Sequence, residues 1–319
     1  MTNGDVRVCR AVKFSSYGGP EVLKIVQVPR PSPGPGEVLV RVHVAPVNPG
    51  EIGIREGVFA DLWPARFPEG QGNDLAGEVV EVGRDVTGFA PGDEVIGYAP
   101  RRAQADYVVH AAATLARKPA LLRWEEAAPL SAVGVTAWAG VEAVQPLPGE
   151  TVVVSAAAGG VGVLAAQLAR LRGATVIGTV GPHNFDFARS LGITPVLHGR
   201  GLAERLRAAA PNGVDAFIDT FGGGNVQVAI DLGIPPQRIN TIADGAAVRR
   251  YGVRSQAQED VFSRGLVERL AALAADRQLV VPIHAVYPLE QVRDAYVELA
   301  RRHTRGKIVL SLDLAPEGE

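Results

Sequence analysis

The chain has 319 residues, 47% of them apolar and 21% charged, enough for two domains of ordinary size. A net charge of −2 with no Lys/Arg block leaves no electrostatic footprint for nucleic acid. No apolar run reaches the about 18 residues that a membrane span needs. The opening MTNGDVRVCRAV lacks the apolar core of a secretory signal, and a single cysteine, Cys9, excludes an internal disulfide framework and a four-cysteine zinc lobe. A cytoplasmic protein is expected.

In chain order, residues 22–28, 37–47, 75–83, 93–98 and 105–111 alternate apolar and polar side chains and read as short strands. Gly- and Pro-rich turns separate them, which predicts an all-β, barrel-like first domain over residues 1–125. Helices over 124–130 and 136–143 lead into the second region. There the pattern changes to strand–helix alternation, with strands at 151–154, 174–180, 194–198, 214–220 and 238–242. Helices fall at 163–171, 184–191, 202–210 and 226–232. Strands at this rhythm need helices on both faces, so residues 126–265 read as a parallel, doubly wound α/β domain. Residues 280–283 and 307–312 are again strand-like, with an amphipathic helix between them. The segment 266–319 is expected to return to the first domain.

The stretch TVVVSAAAGGVGVLAAQLARLR carries the chemistry. A β-branched strand runs into Gly159-Gly160-Val161-Gly162 and then into a helix, the order of a dinucleotide-binding corner. Glycines let the backbone approach a pyrophosphate, and the helix N-terminus offers unpaired N–H groups and partial positive charge. A plain tight turn is the alternative reading of the glycines alone. NAD-binding corners usually carry an acid about 20 residues further on. Here the second strand ends in GTVGPHNF, and no Asp or Glu occurs between Glu150 and Asp186. The lack of an acid admits a 2′-phosphate beside Gly181 and His183, with Arg200 beyond the third strand, and NADPH is favoured over NADH.

The order and spacing of YGGPEVL, VNPGEIGIREG, GDEV, KPALLRWEEAAPL, GVTAW, PGETVVVSAAAGGVG, DTFGG and GKIVL resemble the medium-chain dehydrogenase/reductase superfamily, nearly end to end. Within it the chain is most similar to the zinc-free quinone oxidoreductase branch. The resemblance implies a GroES-like β-barrel catalytic domain plus a Rossmann domain, with the active site in the cleft between them, and a homodimer joined edge to edge through late Rossmann strands, here 238–253. Zinc-dependent relatives carry G-H-E-x-x-G, with the His as a ligand. This chain has Gly72-Asn73-Asp74-Leu75-Ala76-Gly77, and Asn48 stands where relatives place a ligating Cys. No metal is therefore expected.

Without a metal, the chemistry implied is hydride delivery from NADPH to an acceptor that is already electrophilic, a quinone or an α,β-unsaturated carbonyl. The resemblance makes Asn48 the candidate catalytic donor to the substrate oxygen; the alternative is that it only holds the Asn48-Pro49-Gly50 turn. Thr136 resembles the family threonine that contacts the cofactor, or is a helix-face hydroxyl bonded to its own backbone. Thr220 and Phe221 should border the ribose and adenine, Ile242 and Ala243 the nicotinamide. Lys307 closes over the cofactor, or is a solvated strand-end lysine.

Three departures from the relatives stand out. Gly53 occupies a slot that often holds Tyr, which removes a donor and should enlarge the pocket. His183, Asn184 and Phe185 stand where a Lys is common, and Gly199 where a Tyr often contacts the 2′-phosphate. Tyr98, Tyr107 and Tyr251 are candidate proton sources with nothing in the sequence to place them. Two other functions stay open: enoyl-thioester reduction in a biosynthetic pathway, and a non-catalytic, crystallin-like NADPH sensor.

Overall fold

The computed structural model describes residues 7–313. The chain divides into two units. One contains the residues up to Ala132, Ser263–Ala275 and the segment from Ile283 onward; the other contains Val133–Phe262 and Asp276–Pro282. The helix Arg264–Ala275 thus belongs to the first unit, while the seven residues after it belong to the second.

The first unit is a β-barrel of the GroES-like type. Its central strand, Glu37–Pro46, pairs antiparallel with Asp74–Val82, Tyr107–Ala111 and Lys307–Ser311. Asp74–Val82 continues through Glu94–Tyr98 to Ala116–Arg117, and Lys307–Ser311 continues in parallel to Ile283–Pro288. A smaller sheet joins Lys24–Pro29, Val8–Phe14 and Glu69–Gly70. Val38, Val40, Val42, Leu75, Val79, Val95, Ile308 and Leu310 fill the barrel core. Burying a side chain of this size is worth about 1.5–3 kcal/mol, so alternation of this quality fixes the register. The helix Val292–Ala300 lays Val292, Ala295, Tyr296 and Leu299 on that core, at the i, i+3, i+4, i+7 spacing of one helical face.

The second unit is a five-stranded, all-parallel sheet. Its order is Thr194–Leu197, Thr175–Val180, Thr151–Val154, Ala216–Asp219, Ile239–Thr241. The strand order reverses between Thr151–Val154 and its neighbour Ala216–Asp219. The carboxyl edge there is the crevice in which doubly wound sheets bind ligands.

Several elements depart from the sequence expectation. The returning strand is Ile283–Pro288, not 280–283. Val8–Phe14 forms a strand and Pro49–Arg55 a helix where neither was expected. The helix expected over 124–130 is α-helical only for Trp124–Ala127, then tightens to a 3₁₀ turn over Ala128–Ser131. Pro129 lacks the N–H that an α-helix would use there. The late strands expected over 238–253 reduce to Ile239–Thr241, because Gly245–Tyr251 is a helix. The outer edge of that strand is already engaged: Thr241 N–H donates to the Arg254 carbonyl, and Arg254 N–H to that of Ile239. Any pairing of copies along this edge would have to start beyond Arg254. Among the described residues no single helix is long and apolar enough to cross a membrane.

Candidate functional site

In the second unit the strand Thr151–Val154 feeds the turn 155–159, and Gly159 caps the helix Gly160–Leu171 with extended backbone (φ −82°, ψ 175°). A Cβ on Gly162 would collide with the Ala156 carbonyl oxygen, so only glycine lets the helix start this close to the strand. The first N–H groups of a helix have no intrahelical partner. Those of Gly160, Val161 and Gly162 lie at the carboxyl edge of the sheet where it switches direction. The start of this twelve-residue helix, with glycine at two of its first three positions, fits a dinucleotide pyrophosphate.

The neighbouring loop is organised by Asp219, which the sequence reading passed over. Its buried carboxylate accepts from Ser155 Oγ (2.7 Å), Thr241 Oγ1 (2.8 Å), Asn225 Nδ2 (3.0 Å) and the backbone N–H groups of Phe221 (3.2 Å) and Gly222 (3.0 Å). Three strand ends and the 220–224 glycine loop are tied to one side chain. Thr220 donates its hydroxyl to the Ser155 carbonyl, Phe221 is half exposed, Ile242 is half-buried and Ala243 exposed. Thr136 sits half-buried on the helix Val133–Val144. Gly181 and the exposed His183 follow the second strand, and the exposed Arg200 follows the third.

In the first unit, two other candidates come together in a buried polar cluster. Asn48 precedes the helix Pro49–Arg55, and Lys307 opens the last barrel strand. Lys307 Nζ donates to Asn48 Oδ1 (2.6 Å) and to the Val47 carbonyl (2.7 Å). Asn48 Nδ2 donates to Asp74 Oδ2 (2.7 Å) and Glu51 Oε1 (3.0 Å), and its backbone N–H to Glu51 Oε2 (2.9 Å). The hydroxyl of Tyr296 donates to Glu51 Oε2 (2.6 Å) while accepting from Gln71 (2.8 Å) and Gln104 (2.9 Å). Lys307 is only 4% exposed, so the expectation of a solvated strand-end lysine is corrected. Its side chain is drawn inward by two carboxylates the sequence reading left unassigned.

Residues 34–141 match the alcohol dehydrogenase GroES-like domain, and residues 160–242 the zinc-binding dehydrogenase domain. A solved quinone oxidoreductase from Coxiella burnetii is 30% identical with a TM-score of 0.85, covering 96% of this chain and 100% of that one. The chain belongs to the medium-chain dehydrogenase/reductase superfamily. A chloroplastic quinone-oxidoreductase homolog of Spinacia oleracea is 29% identical over 95% of this chain and 98% of its own length. The CurK enoyl reductase structure is 25% identical with a TM-score of 0.84, covering 95% of this chain and 99% of that one.

The two positions that the resemblance aligns with zinc ligands, Asn48 and Asn73, carry amides in this chain. Asn48 Oδ1 is already turned to an ammonium, and Asn73 Oδ1 accepts the backbone N–H of Arg101. Among the described residues no three His, Cys, Asp or Glu side chains converge to hold a metal ion. The Gly53 slot also differs from expectation. A Cβ there would lie 2.5 Å from Phe59 Cε2, so the Phe59 ring fills the space and the glycine does not enlarge it. Phe59 in turn meets Trp63 edge to face at 5.7 Å.

Burial raises the Asp74 carboxyl to about 7, with Lys307 pulling it down and Glu51 pushing it up. Burial likewise raises Glu51, against hydrogen bonds from Tyr296 and Asn48, and lowers Lys307 against the attraction of Asp74 and Glu51. The hydrogen bonds agree with a neutral Asp74. Ser131 Oγ lies 2.9 Å from the Gly97 carbonyl and 3.1 Å from Asp74 Oδ1, yet it has one proton to give. A protonated Asp74 satisfies both by donating to Ser131.

The stability consequence follows from linkage. Asp74 binds its proton more tightly folded than unfolded, so its contribution is most favourable below about pH 4 and declines as pH rises toward 7. Asp74→Asn, whose amide can donate to Ser131, should flatten that slope. Denaturant unfolding between pH 4 and 8 checks this; an unchanged slope in the variant would reassign the shift.

Proposed function

We propose that the protein is a zinc-independent, NADPH-dependent reductase that delivers hydride to a quinone or an α,β-unsaturated carbonyl. The observation that carries this reading is the buried Lys307–Asn48 pair. A fixed ammonium, with two of its three donors engaged, stands among polar groups where a metal would otherwise supply positive charge. The likeness to the quinone oxidoreductase from Coxiella burnetii supports the acceptor class. Bound NADPH would supply the hydride. Gly159, Gly160 and Val161 would hold its pyrophosphate, and the Thr220 and Ile242 loops, fixed through Asp219, its ribose and nicotinamide ends. Thr136 belongs to the same cofactor set. Asn48 orients the Lys307 ammonium, and that charge favours an acceptor whose oxygen gains negative charge on reduction.

Both amide protons of Asn48 are committed to carboxylates, so the Lys307 ammonium takes the donor role first given to that amide. The likeness to the CurK enoyl reductase favours enoyl thioesters as a second acceptor class. NADPH oxidation with 1,4-benzoquinone, a 2-alkenal, a cyclic enone and crotonyl thioester separates the readings. Turnover with the quinone or the enones is expected. Exclusive turnover of the thioester selects the second reading, and NADPH binding with silence on every acceptor selects a sensor.

A further inference from the structure

The loop after the strand Thr194–Leu197 is held by a single side chain. Arg205, on the helix Leu202–Ala209, donates from Nε to the Leu197 carbonyl (2.9 Å) and from Nη1 to that of Arg200 (2.9 Å). Its Nη2 reaches the carbonyls of His198 (3.3 Å) and Gly199 (3.0 Å). Four successive carbonyls converge on one guanidinium, which has five N–H groups in all. Gly199 (φ +88°) and Gly201 (φ +76°) take the left-handed backbone that this inward turn requires.

The place of the loop gives the clamp its meaning. The register pairs Leu197 with Val180, so this loop leaves the sheet edge beside Gly181-Pro182-His183. In doubly wound folds the adenosine ribose is read just beyond the second strand, by an acid on the 2′-hydroxyl or by an arginine near a 2′-phosphate. No acid stands there in this chain. Arg200 is exposed, and its guanidinium has no hydrogen-bond or ion-pair partner among the described residues. The ring of His183 folds back, with Cε1 3.1 Å from the position of a Cβ on Gly181. The Glu204 carboxylate opposes this charge, its Oε2 3.7 Å from a Cβ built on Gly201.

We propose that Arg205 is a positioning residue that holds the 197–200 loop so that Arg200 takes the 2′-phosphate of NADPH. This rests on the cofactor reading above. With its donors committed to carbonyls, the Arg205 guanidinium fixes the backbone and adds charge, and Arg200 makes the contact. The clamp replaces the Lys and Tyr contacts that this chain lacks.

The test is calorimetric binding of NADPH, NADH, adenosine 2′,5′-bisphosphate and ADP to wild type, Arg200→Ala, Arg205→Met and Arg205→Lys, with thermal midpoints alongside. A charge-assisted contact predicts a loss of about tenfold or more for the two 2′-phosphorylated ligands in Arg200→Ala and Arg205→Met. NADH and ADP should stay within about twofold in both variants. Lysine at 205 cannot bridge four carbonyls, so Arg205→Lys should also lose the 2′-phosphate preference while folding normally. An equal loss of all four ligands in Arg205→Met, or equal wild-type affinity for NADPH and NADH, overturns the proposal alone. Wild type that binds neither dinucleotide removes the cofactor reading and this proposal with it.

Discussion

Lys307→Met is expected to destabilise the barrel unit by about 3–5 kcal/mol near pH 8, the usual cost of removing one partner from a buried charged pair, and to abolish turnover of the quinone and enone acceptors. Methionine fills nearly the same volume, so lost packing is a minor part. What remains is Glu51 and Asp74, both buried, and among the described residues no other cation hydrogen-bonds to either carboxylate. Asn48 Oδ1 and the Val47 carbonyl lose their donor as well, and an unsatisfied buried acceptor costs about 1–3 kcal/mol. Burial already raises both carboxyls, and without Lys307 they rise further, so they take up protons as pH falls. The deficit should therefore shrink between pH 8 and pH 5. Adding Asp74→Asn should recover part of the loss at pH 8 while leaving turnover absent. Chemical denaturation at the two pH values provides the check. A loss below about 1 kcal/mol, or one independent of pH, would show that Lys307 is no partner of these carboxylates.

The cluster also marks where sequence reading stops. The barrel strands were legible because each has a face of period two, and the Rossmann strands because glycine turns and helices punctuate them. Asn48 and Lys307 were singled out separately, one as a donor and one as a residue over the cofactor. That they meet depends on Glu37–Pro46 pairing with Lys307–Ser311 across about 260 residues, a closure that no local pattern encodes. Tyr296 was visible only as an apolar position on an amphipathic helix. Its hydroxyl matters because the same face that packs on the core aims it at Glu51. Asp219 and Arg205 were missed for a related reason. Asp219 gathers side chains and N–H groups from neighbouring strand ends, Arg205 gathers carbonyls of the loop before its own helix, and one sequence does not tell a loop organiser from a solvated charge. The Gly53 slot misled for the converse reason, since the residue that fills it lies six positions further on.

Gly160→Asp should abolish NADPH binding while leaving the unfolding midpoint near that of the wild type. Gly160 is the first residue of the helix Gly160–Leu171 and is half-buried. Asp in a first helical turn is mildly favourable, worth about 0.3–1 kcal/mol through the helix dipole, so the fold has no reason to weaken. The effect on a pyrophosphate is the reverse. A carboxylate would sit where the N–H groups offer positive charge, and two unit charges 4 Å apart repel by about 4 kcal/mol at an effective dielectric of 20. That is a loss of about a thousandfold before steric exclusion is counted. Gly162→Ala separates the two roles of the glycines. Its methyl would collide with the Ala156 carbonyl oxygen, so it should lower the melting midpoint as well as the affinity. Fluorescence titration with NADPH alongside thermal unfolding reads both variants. Unchanged affinity in Gly160→Asp would move the cofactor away from this corner. Equal loss of stability in the two variants would make Gly160 part of the turn rather than the binding surface.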